Sequence, residues 1–338
     1  MQDIETIQTD SATGGGLTRH KQMSGQAIRQ RIEAMGTHLT LPTVKRALGV
    51  LEGEHQSIRR GSGYEFLDIR PYTPGDEARS IDWKASARSG RPMVVDKEQN
   101  VISRVWMLLD SGAQMLGTCE SGESQMDVAL NALRMFAALS LRRSDELSVI
   151  VGDKARITRM PLTGGYLAFD DLAERIAERK RTHPRDLTAL LDYAKRIRDR
   201  YALIIIATAN TAWTEDTIES VSILAQTHPM IVVDVDAVNS FTVSDNFSAI
   251  VDSTSGRMIP AFMRTPQLAD DVDERREFTA KLLEQRLSHA GAALLHAGSS
   301  EDMFDQFVRH ISTALTRAGS INVLAASHMA ASAEEGQQ

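Results

Sequence analysis

Two carboxylates and a lysine stand close together in RPYTPGDEARSIDWKASAR, residues 70–88. Asp76 and the Asp82-x-Lys84 step are similar to the metal-dependent nuclease arrangement in which two acids bind Mg²⁺ beside a lysine. Further along, Asp110 ends the apolar run VISRVWMLLD and is followed by SGAQM. A carboxylate at the end of a buried strand is a hard oxygen ligand of the kind that Mg²⁺ takes. Other chemistries lack their residues. The chain has no G-x-x-x-x-G-K-[ST] phosphate loop, no G-x-S-x-G elbow and no H-E-x-x-H, and its nine histidines are scattered singly. The three glycines at 14–16 lie in a polar tail with no strand before them.

These groups need a scaffold, and 338 residues with 42% hydrophobic content are enough to build one. The net charge of −7 does not suit a nucleic-acid partner. With the tight spacing of its acids, this places the nuclease reading last. The single cysteine, Cys119, rules out an internal disulfide framework and points to a reducing, cytoplasmic setting. No signal peptide is expected, because the first twenty or so residues are polar and carry Asp3, Glu5 and Asp10. The longest apolar runs, such as YALIIIATA from Tyr201, fall well short of the ~20 residues of a membrane span.

Residues 1–22 and 325–338 read as disordered tails, and two short helices are predicted between Ser24 and Leu51. Strands are predicted at 101–110, 146–152, 202–209, 230–236 and AALLHA, with ARITRM at an edge. Helices are predicted at 126–143, 166–180, 187–200, 214–227, 267–290 and 301–318, and a short hairpin with Ser255-Gly256 in its turn. Strands apolar on both faces and alternating with helices specify an α/β fold, a mostly parallel sheet with helices on both faces, over 99–320. Residues 23–98 add N-terminal helices and a turn-rich subdomain. In such a sheet a ligand is expected beyond the carboxyl ends of the strands. Within the dense segment, bidentate pairs between Arg70, Arg79 or Arg88 and Asp76 or Asp82 are expected to lock the coil, with Trp83 as its apolar anchor.

The Asp110 corner resembles the metal-binding corner of von Willebrand factor A domains, which reads D-x-S-x-S, with a threonine and a second aspartate from later loops. Asp110 is kept, but Gly112 and Gln114 stand where the serines belong, and Ala209 stands near the second aspartate. Thr188 is the candidate threonine. The resemblance therefore implies a von Willebrand factor A-like fold with a degenerate metal site, in which Asp110 bonds within its own loop.

Residues 61–98 resemble the signature of the bacterial domain-of-unknown-function 58 family, G-x-G-x-E-F followed by R-x-Y-x-x-G-D-x-x-R-x-I-D-W-x-x-x-A-R. Its fixed positions are present as Gly61, Gly63, Glu65, Phe66, Arg70, Tyr72, Gly75, Asp76, Arg79, Ile81, Asp82, Trp83, Ala87 and Arg88. The resemblance implies a partner of the MoxR-type AAA+ ATPase class rather than a reaction or a cofactor. The expectation is a non-enzymatic adaptor that directs such an ATPase to a client protein, with no nucleic acid and no membrane insertion. The signature acts as an ion-paired clasp, a docking surface, or both. A Mg²⁺-dependent von Willebrand-type binder is the main alternative.

Overall fold

A computed structural model describes residues 30–31, 65–73, 81–98, 104–142, 145–242, 250–252 and 256–309. The signature residues Gly61, Gly63, Gly75, Asp76 and Arg79, both predicted tails and most of the region of the predicted N-terminal helices lie outside these residues.

The main sheet has six strands: β3 (Arg104–Asp110), β4 (Glu146–Gly152), β5 (Ile157–Pro161), β6 (Leu203–Ala209), β7 (Met230–Val235) and β8 (Ala293–Ala297). Their order is β5-β4-β3-β6-β7-β8. All neighbours run parallel except β4 and β5, which are antiparallel at the edge. This arrangement is consistent with the von Willebrand factor A-like fold expected from the sequence.

The strands are apolar on both faces because both faces are covered. On one side Val105, Met107 and Leu109 of β3 and Ile205 of β6 pack with α2 (Gln125–Arg142), α3 (Tyr166–Ala177) and the helical turns of 300–309. On the other side Leu108, Ile204 and Ile206 pack with α4 (Leu187–Ala194), α5 (Glu215–Ala225) and α6 (Pro266–His289). All seven residues of β6, LIIIATA, are buried. The ring of Phe136 in α2 meets that of Phe307 edge-on at 5.4 Å. Such a contact adds roughly 0.5–1.5 kcal/mol to the burial of the two rings.

Polar groups fix how these layers meet. Glu123 accepts from the Ser300 backbone N–H at 2.9 Å, which ties the loop before α2 to the start of the 300–309 helix. Asn131 donates to the Ser300 hydroxyl at 2.9 Å, and Arg134 bridges Asn131 in α2 to Asp170 in α3. In the predicted hairpin at 248–259, the described residues pair across it through an antiparallel bridge, Val251 to Met258, with Gly256 at φ 67°. Among the described residues no helix is long and apolar enough to cross a membrane.

The signature region forms a separate two-stranded ribbon. β1 (Glu65–Pro71) runs antiparallel to β2 (Met93–Glu98), and the short helix α1 (Trp83–Ser89) lies between them in sequence.

Candidate functional site

The carboxyl ends of β3, β6 and β7 converge, and the site begins at Asp110. Its Oδ1 accepts from the Gly112 backbone N–H at 2.9 Å, a local turn that ends the strand. Its Oδ2 accepts from the Thr208 hydroxyl of β6 at 2.8 Å. The Nε of Arg185 lies 3.4 Å from the same oxygen. Asp110 is 1% exposed, and the Arg185 side chain is 12% exposed.

The loop carrying Arg185 is held across the strand ends by backbone bonds. Ala113 N–H donates to the His183 carbonyl at 2.8 Å and Lys154 N–H to the Pro184 carbonyl at 2.9 Å. Arg185 N–H donates to Oε1 of Gln114 at 2.8 Å. This approach explains both departures from the D-x-S-x-S pattern. A Cβ on residue 112 would stand 2.4 Å from the Arg185 nitrogen and 2.5 Å from its Cα, so only glycine fits there. Gln114, in place of the second serine, spends its carbonyl oxygen on the incoming loop.

The residues here do not fit a divalent cation. Both Asp110 oxygens are committed, the serine hydroxyls are missing, and a guanidinium already supplies the positive charge. Burial pulls the Arg185 pKa down, while the charges of Asp110 and Asp234 push it up. Arginine stays protonated in proteins, so the charge remains. Its Nη1 and Nη2 are buried and, among the described residues, make no hydrogen bond.

A second charged group lies beside the first. Asp234 of β7 is 1% exposed and accepts from Trp213 Nε1 and His296 Nδ1, each at 2.8 Å. His296 Nε2 reaches Asp236 at 3.5 Å, and Asn210 donates to the other Asp236 oxygen. Burial raises the Asp234 pKa, and the bonds from His296 and Trp213 oppose it. The His296 pKa is pushed up to about 10, chiefly by its bond to Asp234 and then by Asp236. Both carboxylates thus favour the imidazolium form of His296, with Nδ1 on Asp234 and Nε2 near Asp236. A cavity of about 290 Å³ opens here, with Asn210, Trp213, Asp236, Arg276 and His296 in its wall. Signs alternate along this edge from Asp110 through Arg185, Asp234 and His296 to Asp236.

The sequence singled out Asp110, whose carboxylate does bond within its loop as expected. Thr188, the candidate threonine, is exposed in the first turn of α4, and Thr208 contacts Asp110 instead. Ala209 is buried at the end of β6. Arg185, Asp234 and His296 were missed. The D-x-D at the end of MIVVDVD and the histidine near the end of AALLHA were the available signal, since both stand where strands deliver side chains to a ligand edge.

In the signature region, Oδ1 of Asp82 caps α1 by accepting from Lys84 N–H at 2.8 Å and Ala85 N–H at 3.0 Å. The sequence reading placed this oxygen opposite an arginine. The Ala85 N–H, joined by the Lys84 N–H and the charges of Arg88 and Lys84, holds the Asp82 carboxyl below its usual range. Asp82 N–H donates to the Met93 carbonyl at 2.9 Å, and Ser86 links its helix to β2 by accepting from Met93 N–H at 2.8 Å. Tyr72 N–H donates to the Pro92 carbonyl at 2.9 Å. Gly90 closes α1 at φ 68°, which favours glycine. Trp83 corrects an expectation: it is 71% exposed rather than packed as an anchor. Tyr72 and Arg88 of the same region are exposed as well. Glu65, Phe66 and Arg70 lie in β1 with backbones paired to Glu98, Lys97 and Val94.

The family model described as "Protein of unknown function DUF58" matches residues 68–260. Uncharacterized proteins of Mycobacterium bovis and Mycobacterium tuberculosis are each 24% identical over 286 residues, covering 80% of this chain and 86% of theirs. A crystal structure of an aerotolerance-related membrane protein from Bacteroides fragilis, carrying multiple mutations to serines, is similar at a TM-score of 0.32 and 11% identity. It covers 54% of this chain and 99% of its own.

Proposed function

Because this chain belongs to the protein family of unknown function DUF58, we propose that it is a non-enzymatic protein-interaction module, an adaptor for a MoxR-type AAA+ ATPase in a reducing, cytoplasmic setting. The ATPase is the partner class that the family resemblance implies, and the adaptor brings it to a client protein. The observation that carries the reading is Trp83. Its indole is 71% exposed on a helix whose start is capped by Asp82 and whose body is tied to β2 through Ser86. A large aromatic side chain held in water on a fixed backbone loses little freedom when a partner covers it. Tyr72 and Arg88, exposed on the same unit, are of the types that anchor interfaces.

The Asp110 corner supports an interaction that needs no metal, since Arg185 brings the positive charge there. The Mg²⁺-dependent alternative lacks an oxygen cage at this corner. For the nuclease alternative, Oδ1 of Asp82 is committed to the α1 cap, and Asp76 lies outside the described residues.

The test is a pull-down from a native extract with the immobilised full chain and its Trp83→Ala variant. The reading expects a MoxR-type ATPase enriched on the wild type and lost from the variant. No enrichment contradicts the partner, and equal enrichment contradicts docking through Trp83. The exposed position of Trp83 keeps the fold of the variant intact, which circular dichroism checks.

A further inference from the structure

A second surface stands at the opposite, amino-terminal end of the main sheet. α4 stops at Ala194, and the chain turns through 195–200 before β6. Between that turn, the first residues of β3 and β4, and Arg159 of the antiparallel β5 lies an open groove of about 440 Å³. Its wall contains Arg104, Arg159, Arg196 and Arg198 against Glu146 and Asp199, four positive charges to two negative. This excess of two positive charges sits on a chain whose net charge is −7.

The arginines differ in what they can still bind. Arg104 is spent on Glu146 at 2.9 Å and Asp199 at 3.1 Å, and forms a neutralised wall. Arg159 stacks on the Trp106 ring at 4.5 Å and donates to the Ser148 hydroxyl at 3.1 Å. That arrangement fixes its guanidinium in place, and among the described residues no carboxylate pairs with it. Arg196 and Arg198 are exposed, and among the described residues their side chains have no ion pair or hydrogen bond. Half-buried Trp106 and Tyr193 add aromatic surface to the groove. Arginine, tryptophan and tyrosine together are the residue types that dominate protein–protein binding energy. Fork-shaped guanidiniums bind carboxylates in pairs of parallel hydrogen bonds.

We propose that this groove is a docking site for an acidic peptide segment of a partner protein, with carboxylates on Arg159, Arg196 and Arg198 and an apolar side chain against Trp106 and Tyr193. The groove is open and aromatic on one side, which suits an extended segment with an apolar residue between its acids better than a single phosphate. It is distinct from the Trp83 surface and gives the chain two docking faces.

The test uses the full chain and a fluorescein-labelled peptide in which glutamates flank a central leucine, followed by fluorescence anisotropy. Saturable binding is expected. It weakens on the order of tenfold or more in the Arg196→Glu/Arg198→Glu variant, and it weakens with added salt. Neither arginine supports the fold, and circular dichroism checks this. Arg159→Gln is a second variant, expected to weaken the peptide and to change the tryptophan emission as the stack on Trp106 is lost. The proposal is overturned if the wild type does not bind, if the double variant binds equally, or if a matched lysine peptide binds as well. It is also overturned if inorganic pyrophosphate displaces the label at lower concentration than unlabelled peptide does, which would assign the groove to phosphates. The Trp83→Ala variant should bind the peptide like wild type, so failure here and failure of the ATPase reading are separately visible.

Discussion

The Nε of Arg185 and the Oδ2 of Asp110 stand 3.4 Å apart at the buried end of β3, with the Thr208 hydroxyl on the same oxygen at 2.8 Å. A buried carboxylate needs a cation or several hydrogen bonds. In this fold the cation is part of the chain. The loop that brings it depends on glycine at 112 and glutamine at 114, so the departures from D-x-S-x-S are parts of one arrangement.

Removing the cation should therefore be expensive. Arg185→Met leaves Asp110 buried without its counter-charge, and the expected loss is roughly 3 kcal/mol of unfolding free energy. Urea denaturation measures it. Adding Asp110→Asn to the same variant should recover part of the loss, because the amide oxygen still accepts from Thr208. A loss near zero in Arg185→Met would show that the pair does not stabilise the fold.

Restoring the serine should do harm rather than good. In Gly112→Ser the new Cβ would meet the Arg185 backbone at 2.4 Å, a distance that backbone movement alone relieves. The expected cost is about 2–3 kcal/mol. Thermal unfolding reads it as a drop of several degrees. An unchanged melting temperature would mean that the 183–185 loop is not seated on Gly112.

His296 predicts a pH dependence. Its pKa rises from 6.5 unfolded to about 10 folded, because Asp234 and then Asp236 hold the imidazolium. A raised histidine pKa contributes stability that is whole below 6.5 and is lost as pH climbs through about 10. The ring side chain is 39% exposed, so solvent screening reduces the effect to about 1–2 kcal/mol. Urea midpoints across that range should fall more steeply for wild type than for His296→Gln. Parallel profiles would contradict the assignment.

The sheet was legible because strands such as LIIIATA must be covered on both faces, and the α/β alternation leaves one way to do that. Asp110 was legible because its carboxylate ends such a strand. Arg185 was not, since it sits in RTHPRD, a loop without periodicity, and its partner is 75 residues away in sequence (185 − 110). Gly112 was read as a lost ligand when its role is to let a backbone pass. Thr188 was named as the threonine and Thr208 was not considered, since chain position does not reveal which residue faces Asp110 at the strand ends. Trp83 was misread because a tryptophan in a short sequence segment gives no sign of whether it faces a core or a partner. Helices 166–180 and 187–200 were predicted too long, because α3 ends at Ala177 and α4 at Ala194.

The most direct test of the central claim, that an arginine holds the place of a metal at the carboxyl edge, is isothermal titration of Mg²⁺ into the full chain. The account predicts no binding heat for the wild type at Asp110 and no change with Asp110→Ala. A stoichiometric heat that Asp110→Ala abolishes would contradict it.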